Sequence, residues 1–116
     1  MNSHKTIPVT TEFHPRPKGR YAKDAPGCEK SSGEVFRKQC LVPALREFDS
    51  VLVDLTGYNR YGRSFLDEAF GGLISREHFT KAELDKKLTV KHDDVESFIS
   101  IINERIISAE ENRLKE

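Results

Sequence analysis

The sequence predicts a single layered α/β domain, a mixed β-sheet with helices packed on it, in the order strand, hairpin return, helix, strand, helix, strand, helix. Three observations carry that reading. Val51, Leu52, Val53 and Leu55 form a short apolar run rich in β-branched residues, the pattern of a strand buried on both faces. Phe65, Leu66, Ala69, Phe70, Leu73 and Ile74 gather on one stripe of a helix. Strand-like and helix-like periods then alternate along 116 residues, a length that suits one domain with a real core and not two. Where consecutive strands run parallel, right-handed crossovers join them.

In chain order, residues 6–13 alternate, with Ile7, Val9 and Thr11 on one side, and Pro8 removes a ladder donor, which suits a first or edge strand. Residues 14–33 hold three prolines, three glycines and five Lys or Arg against two acids, the composition of a long surface loop. Gly19-Arg20-Tyr21 offers a brief hairpin return to the first strand. The plain reading of this loop is a solvated, mobile connection; the functional reading is contact with a phosphate or an acidic partner through Arg16, Lys18, Arg20 and Lys23.

Ser31 and Glu34 have capping-box spacing, and Val35, Phe36, Leu41, Ala44, Leu45 and Phe48 supply the stripe of a helix over 33–48. Pro43 removes one of its hydrogen bonds and crowds the Gln39 carbonyl, so a kink is expected there. After the 51–55 strand, Thr56-Gly57 ends the run. Ser64 stands at the start of the next helix as its expected cap, with Asp67 and Glu68 suited to the positive end of the dipole. Gly71-Gly72 fit either a close backbone approach or a helix stop. Thr80 and Glu83 predict a capped turn of helix through Lys86, and Leu88 and Val90 a strand with one wet face. Asp93 and Glu96 repeat the capping spacing before the longest stripe, Val95, Phe98, Ile99, Ile102, Ile106 and Ala109, with a polar end at 110–116 expected to fray.

Nineteen basic and nineteen acidic residues cancel, so no overall field draws the chain to nucleic acid or to an anionic membrane, and partners must be recognised locally. No apolar run approaches a membrane span and the N-terminus lacks a signal-peptide core, so a cytoplasmic protein is expected. Cys28 and Cys40 read as free thiols, and the scattered His4, His14, His78 and His92 as solvated or loop residues, so neither metal nor cofactor is predicted.

Enzyme motifs find no match: there is no G-x-S-x-G elbow around Ser64 and no glycine-rich phosphate loop with its lysine. Asp54, a lone carboxylate, reads as a hydrogen-bond acceptor that orders the loop rather than a general base. The loop Tyr58, Asn59, Arg60, Tyr61, Gly62 and Arg63 places two aromatics and two arginines at a helix N-terminus, where backbone donors favour anions. Tyr and Arg are also enriched among binding hot spots.

VLVDLTG followed by GRSFLDEAFGGL resembles the STAS-like family of domains of unknown function, relatives of the STAS domains of anti-sigma factor antagonists and sulphate transporters. The likeness runs from about Ser31 through the last helix and is sharpest between Asp54 and Leu73. In the antagonists an aspartate-serine-serine-glycine motif opens the corresponding helix, and an ATP-binding partner kinase phosphorylates its second serine. Ser64 matches that serine; Gly62, Arg63 and Phe65 stand at the other three positions. The resemblance implies a STAS-like fold and a non-catalytic regulatory module. Its protein partner, an ATP-binding kinase of the anti-sigma type, would meet the surface at 58–70, including Asp67, with Ser64 as candidate phosphoacceptor. The alternative is a small-ligand module that holds a phosphate or nucleotide at the helix start near Ser64.

Overall fold

The computed structural model describes residues 3–115. Strands β1 (His4–Pro8), β2 (Ser50–Asp54) and β3 (Leu88–Lys91) form one parallel sheet in the order β1-β2-β3. The expected mixed sheet is therefore corrected to a parallel one. Strand β1 ends at Pro8 and not at Phe13, because Pro8 takes the N-cap position of a helical turn, α1 (Val9–Glu12). The hairpin return is absent among the described residues for a second reason. The carbonyls of Gly19 and Arg20 accept from the amides of Gly33 and Glu34 (both 3.0 Å), two first-turn donors that a helix leaves free. This segment also contains α2 (Cys28–Ser31), and Lys18 N donates to Ser31 O at 2.8 Å.

Register sets the two faces of the sheet. Lys5 and Ile7 pair with Val51 and Val53, which pair with Leu88 and Val90. Ile7, Val51 and Val53 on that face are buried. The opposite face carries His4, Thr6, Ser50, Leu52, Asp54, Thr89 and Lys91, half-buried or exposed. Thus β2 alternates, where burial on both faces was the expectation. Strands that follow one another in space as in sequence, joined by crossovers of one hand, send every connecting helix to the same side.

The helices on that side run in long tracts. The first joins α3 (Gly33–Phe36), a π-helical turn (Arg37–Leu41) and α4 (Val42–Glu47). Ser32, not Ser31, caps it by accepting from Val35 N (3.3 Å); Ser31 Oγ donates to Lys18 O, and Glu34 accepts from Ala22 N instead of closing a capping box. The π turn lies just ahead of Pro43, where a wider turn relieves crowding of the Gln39 carbonyl.

The second tract joins α5 (Arg63–Leu66), a π turn (Asp67–Gly71) and α6 (Gly72–Ser75). Its predicted stripe is buried, and so are Glu68, Gly71 and Gly72, so this helix is enclosed nearly all round. A Cβ on Gly33 would lie 2.4 Å from Phe65 O, so α3 crosses here at backbone contact. Gly71 and Gly72 are close approaches as well, since the helix continues to Ser75.

Helix α7 (Lys81–Lys87) opens with the full Thr80–Glu83 capping box. Helix α8 (Ser97–Lys115) begins later than Asp93–Glu96 spacing predicts, because His92 Nδ1 takes the amides of Asp94 and Val95 (3.1 and 3.0 Å). Phe98, Ile102 and Ile106 bury its inner face. The helix is continuous to Lys115; of the 110–116 end expected to fray, Glu116 lies outside the described residues.

Candidate functional site

Parallel pairing brings the carboxyl ends of all three strands to one edge. Three loops meet there and brace one another through Thr56. Its amide donates to Asp54 Oδ1 (3.0 Å), its hydroxyl accepts from Asp93 N (2.9 Å), and its carbonyl accepts from Thr10 Oγ1 (3.3 Å). Gly57, at φ 108°, adopts the left-handed conformation, and a Cβ there would meet Thr10 Oγ1 at 2.9 Å. Asp54 is thus the loop-ordering acceptor the sequence predicts. Partial burial pushes its carboxyl up, but the bonds from Thr56 and the nearby Lys91 ammonium outweigh this and hold it below the ordinary value.

Beneath the loop sits an aromatic anchor. Tyr61 is buried and donates from its phenol to Leu55 O at 2.9 Å. Its ring packs with Tyr58, Phe98 and Phe65 at centroid distances of 5.2, 5.4 and 5.7 Å. Burial, reinforced by the charge of Asp54 and by Tyr58, pushes the phenol well above its usual range, so it remains a neutral donor. Tyr61 is therefore removed from the predicted contact surface and assigned to the framework. His92 is a loop residue, one of the two expectations, but a buried one: with Nδ1 accepting two amides, the proton lies on Nε2, which donates to Tyr58 O (2.9 Å). Asx-like turns by histidine have no short sequence signature, which is why this buttress was not legible from the residue type.

On top of this frame, Asn59, Arg60, Gly62, Arg63 and Ser64 are exposed, while Tyr58 is half-buried. Ser64 is not the cap: Gly62 holds that position without a side-chain bond, and Ser64 is the second residue of α5. Asp67 is half-buried, and Arg20 Nη1 binds its carboxylate at 2.7 Å. The predicted set 58–70 thus divides into an exposed patch at 59–64 and buried structure beyond it. Of the basic loop residues, Arg16, Lys18 and Lys23 remain exposed and Arg20 is turned inward.

Behind Asp67 lies a charged assembly not anticipated from the sequence. Gly72 N donates to Asp67 O, five residues back, which frees the Glu68 carbonyl; Arg37 Nη1 takes it at 2.6 Å. The same guanidinium binds Glu68 Oε2 (2.7 Å) and Glu77 Oε2 (2.9 Å), while Arg76 Nε reaches Glu68 Oε2 at 2.6 Å. Arg37 and Glu68 are 1% and 3% exposed. The signal was present as two charges embedded in apolar stripes, Phe36-Arg37 and Glu68-Ala69-Phe70. Among the described residues, no three metal-capable side chains converge, and no helix is long and apolar enough to cross a membrane.

A one-sided parallel sheet, three braced carboxyl-end loops and an enclosed central helix define an α/β module that offers a small polar patch. Residues 32–98 match the model of the STAS-like domain of unknown function, and the chain belongs to that family. No curated protein and no solved structure matches the chain.

Proposed function

We propose that the domain is a non-catalytic regulatory module that docks on a protein partner through Asn59, Arg60, Arg63 and Ser64. One observation supports this above others: these side chains are exposed on a loop, and on the first helical turn it leads into, and the loop's underside is fixed by Thr56, Tyr61 and His92. A braced loop loses little freedom on binding, and arginine is a preferred anchor at interfaces. The resemblance of the 54–73 stretch to the STAS domains of anti-sigma factor antagonists favours an ATP-binding kinase of the anti-sigma type as the partner, with Ser64 as phosphoacceptor. Ser64 is accessible, a phosphate there would lie at the positive end of the helix beside Arg63, and Arg20 already neutralises Asp67.

A second reading rests on the same turn. Helical bonding begins with Leu66 N to Gly62 O, which leaves the amides before it outside the ladder and suited to a free phosphate or nucleotide. Nucleotide titration of the isolated chain separates the two readings.

The docking reading is tested by Arg60→Ala and Arg63→Ala, which should leave the melting temperature unchanged and weaken capture of the partner from the native host by about 1 to 2 kcal/mol. Mass spectrometry of protein from that host reports the state of Ser64. Capture should survive Ser64→Ala and fail for the phosphorylated form; equal capture by both forms removes the switch, and capture indifferent to both arginines removes the patch.

A further inference from the structure

We propose that the partner docked at the 59–64 patch presents an acidic protein surface, and that residues 13–19 supply a second half of the contact, Arg16 and Lys18 acting with Arg60 and Arg63; the inference rests on the docking reading above. What carries it is a local imbalance of charge in a chain that is neutral as a whole. Residues 13–19 and 55–66 together hold these four cations and no Asp or Glu. All four are exposed, and none forms an ion pair among the described residues. The acids that border the two segments, Glu12, Asp54 and Asp67, are already engaged by Lys5 Nζ at 3.1 Å, Thr56 N at 3.0 Å and Arg20 Nη1 at 2.7 Å.

The fold ties the first segment to the turn that carries the patch. At one end the Phe13 ring lies 5.0 Å from Phe36 and 6.5 Å from Phe65, centroid to centroid. At the other, Gly19 O accepts from Gly33 N at 3.0 Å, and Gly33 is the residue whose Cβ would meet Phe65 O at 2.4 Å. Both ends therefore close on Phe65, two residues past Arg63. Between them Pro17 is buried while its neighbours Arg16 and Lys18 are exposed, and Pro15 and Pro17 fix φ on either side of Arg16. Cations carried on so constrained a segment lose little freedom when a partner engages them.

Side-chain carboxylates are the partner groups this set fits: arginine binds them through two parallel hydrogen bonds, and complementary charge steers the encounter and fixes its register. A nucleic acid strand would call for exposed aromatics to stack its bases, but Tyr61 is buried and Tyr58 is half-buried against it. A lipid surface would call for an apolar wedge, and the exposed large hydrophobics, Ile107 and Leu114, lie in the second half of α8. A phosphate on Ser64 would set a charge of about −2 beside Arg63 and repel an acidic face, so modification and charge recognition act on one contact.

The test titrates the full chain into a fluorophore-labelled oligoglutamate peptide, read by anisotropy at low and at physiological ionic strength, with a single-stranded oligonucleotide of equal charge in parallel. Saturable binding of the peptide that weakens as salt rises is expected. Arg16→Gln with Lys18→Gln, and separately Arg60→Gln with Arg63→Gln, should each weaken it about three- to tenfold at an unchanged melting temperature, since all four side chains are exposed. Lys86→Gln with Lys115→Gln, equally exposed but on α7 and α8, should change nothing. Absence of saturable binding, equal loss in the α7–α8 pair, tighter binding of the oligonucleotide, or indifference to the pair at 16 and 18 overturns the proposal. The docking reading fails separately, when capture of the native partner ignores Arg60→Ala and Arg63→Ala, whatever the peptide does.

Discussion

Glu68→Gln is the most demanding test of the packing described above. The carboxylate is 3% exposed and serves Arg37 at 2.7 Å and Arg76 at 2.6 Å. Arg76 is half-exposed and can return to water, so loss of its pair costs at most about 1 kcal/mol. Arg37 cannot, since its guanidinium is enclosed and keeps only Glu77 as a counter-ion. Breaking one side of a buried pair costs about 3 to 5 kcal/mol, and the surviving Glu77 contact places this case near 3 to 4. For a domain of this size that is a fall in melting temperature of about 10 to 20 °C, and a large share of a total stability of about 5 to 15 kcal/mol.

The assay is urea unfolding followed by far-ultraviolet circular dichroism, with a double-mutant cycle. Arg37→Met and Glu68→Leu each strand a buried charge, whereas the double variant strands none at that contact and should recover at least half of the summed losses. A loss below about 1 kcal/mol for Glu68→Gln, or strict additivity in the cycle, would refute the claim that these charges depend on one another.

Tyr61→Phe removes the bond to Leu55 O and should cost about 1 kcal/mol in the same assay, while Tyr61→Ala should cost about 3 to 5 through the cavity it opens; a neutral Tyr61→Ala would return this residue to the surface. Gly72→Ala places a methyl 2.5 Å from Arg37 Nη1 and should destabilise by about 1 to 3 kcal/mol, visible as a lower urea midpoint. Acid should weaken the fold through Asp54 and Glu34, whose carboxyls both lie below their ordinary 3.8 and 4.5. For Glu34 the leading cause is the bond from Ala22 N, opposed by desolvation. A depressed carboxyl stabilises above its unfolded value and loses that contribution as pH falls through the folded one, so the decline belongs below about pH 4. Asp54→Asn and Glu34→Gln should each flatten a pH series of urea midpoints in that window, and an unchanged slope in both would contradict the assignment.

Local patterns found most of the elements and missed how two of them are used. The Phe65 to Ile74 stripe and the Thr80–Glu83 box depend on neighbours within a turn, and both stand as read. The hairpin failed because the carbonyls of Gly19 and Arg20 were spent on the amides of Gly33 and Glu34, residues 14 positions away. Ser64 failed as a cap for a subtler reason. Gly62 enters with an extended ψ of 155° and fills that role, so the helix starts before the first residue that periodicity can detect.

The buried all-round environment of the central helix follows from the topology, and it decides what surface remains for a partner. Sequential parallel strands leave one sheet face bare and crowd all the helices onto the other, so α3 and α8 flank the second helical tract on both sides. Gly33 and Gly71 let those neighbours close to backbone distance. An amphipathic helix on a two-sided sheet keeps an outer face for docking; this one is enclosed from Phe65 to Ile74 apart from the half-buried Asp67, which Arg20 binds. Its first turn and the loop ahead of it emerge at one end, and Ser75 at the other. On the docking proposal, a partner that reads the start of this helix reads Asn59, Arg60, Arg63 and Ser64, and substitutions at the enclosed positions 65–74 act on binding through folding.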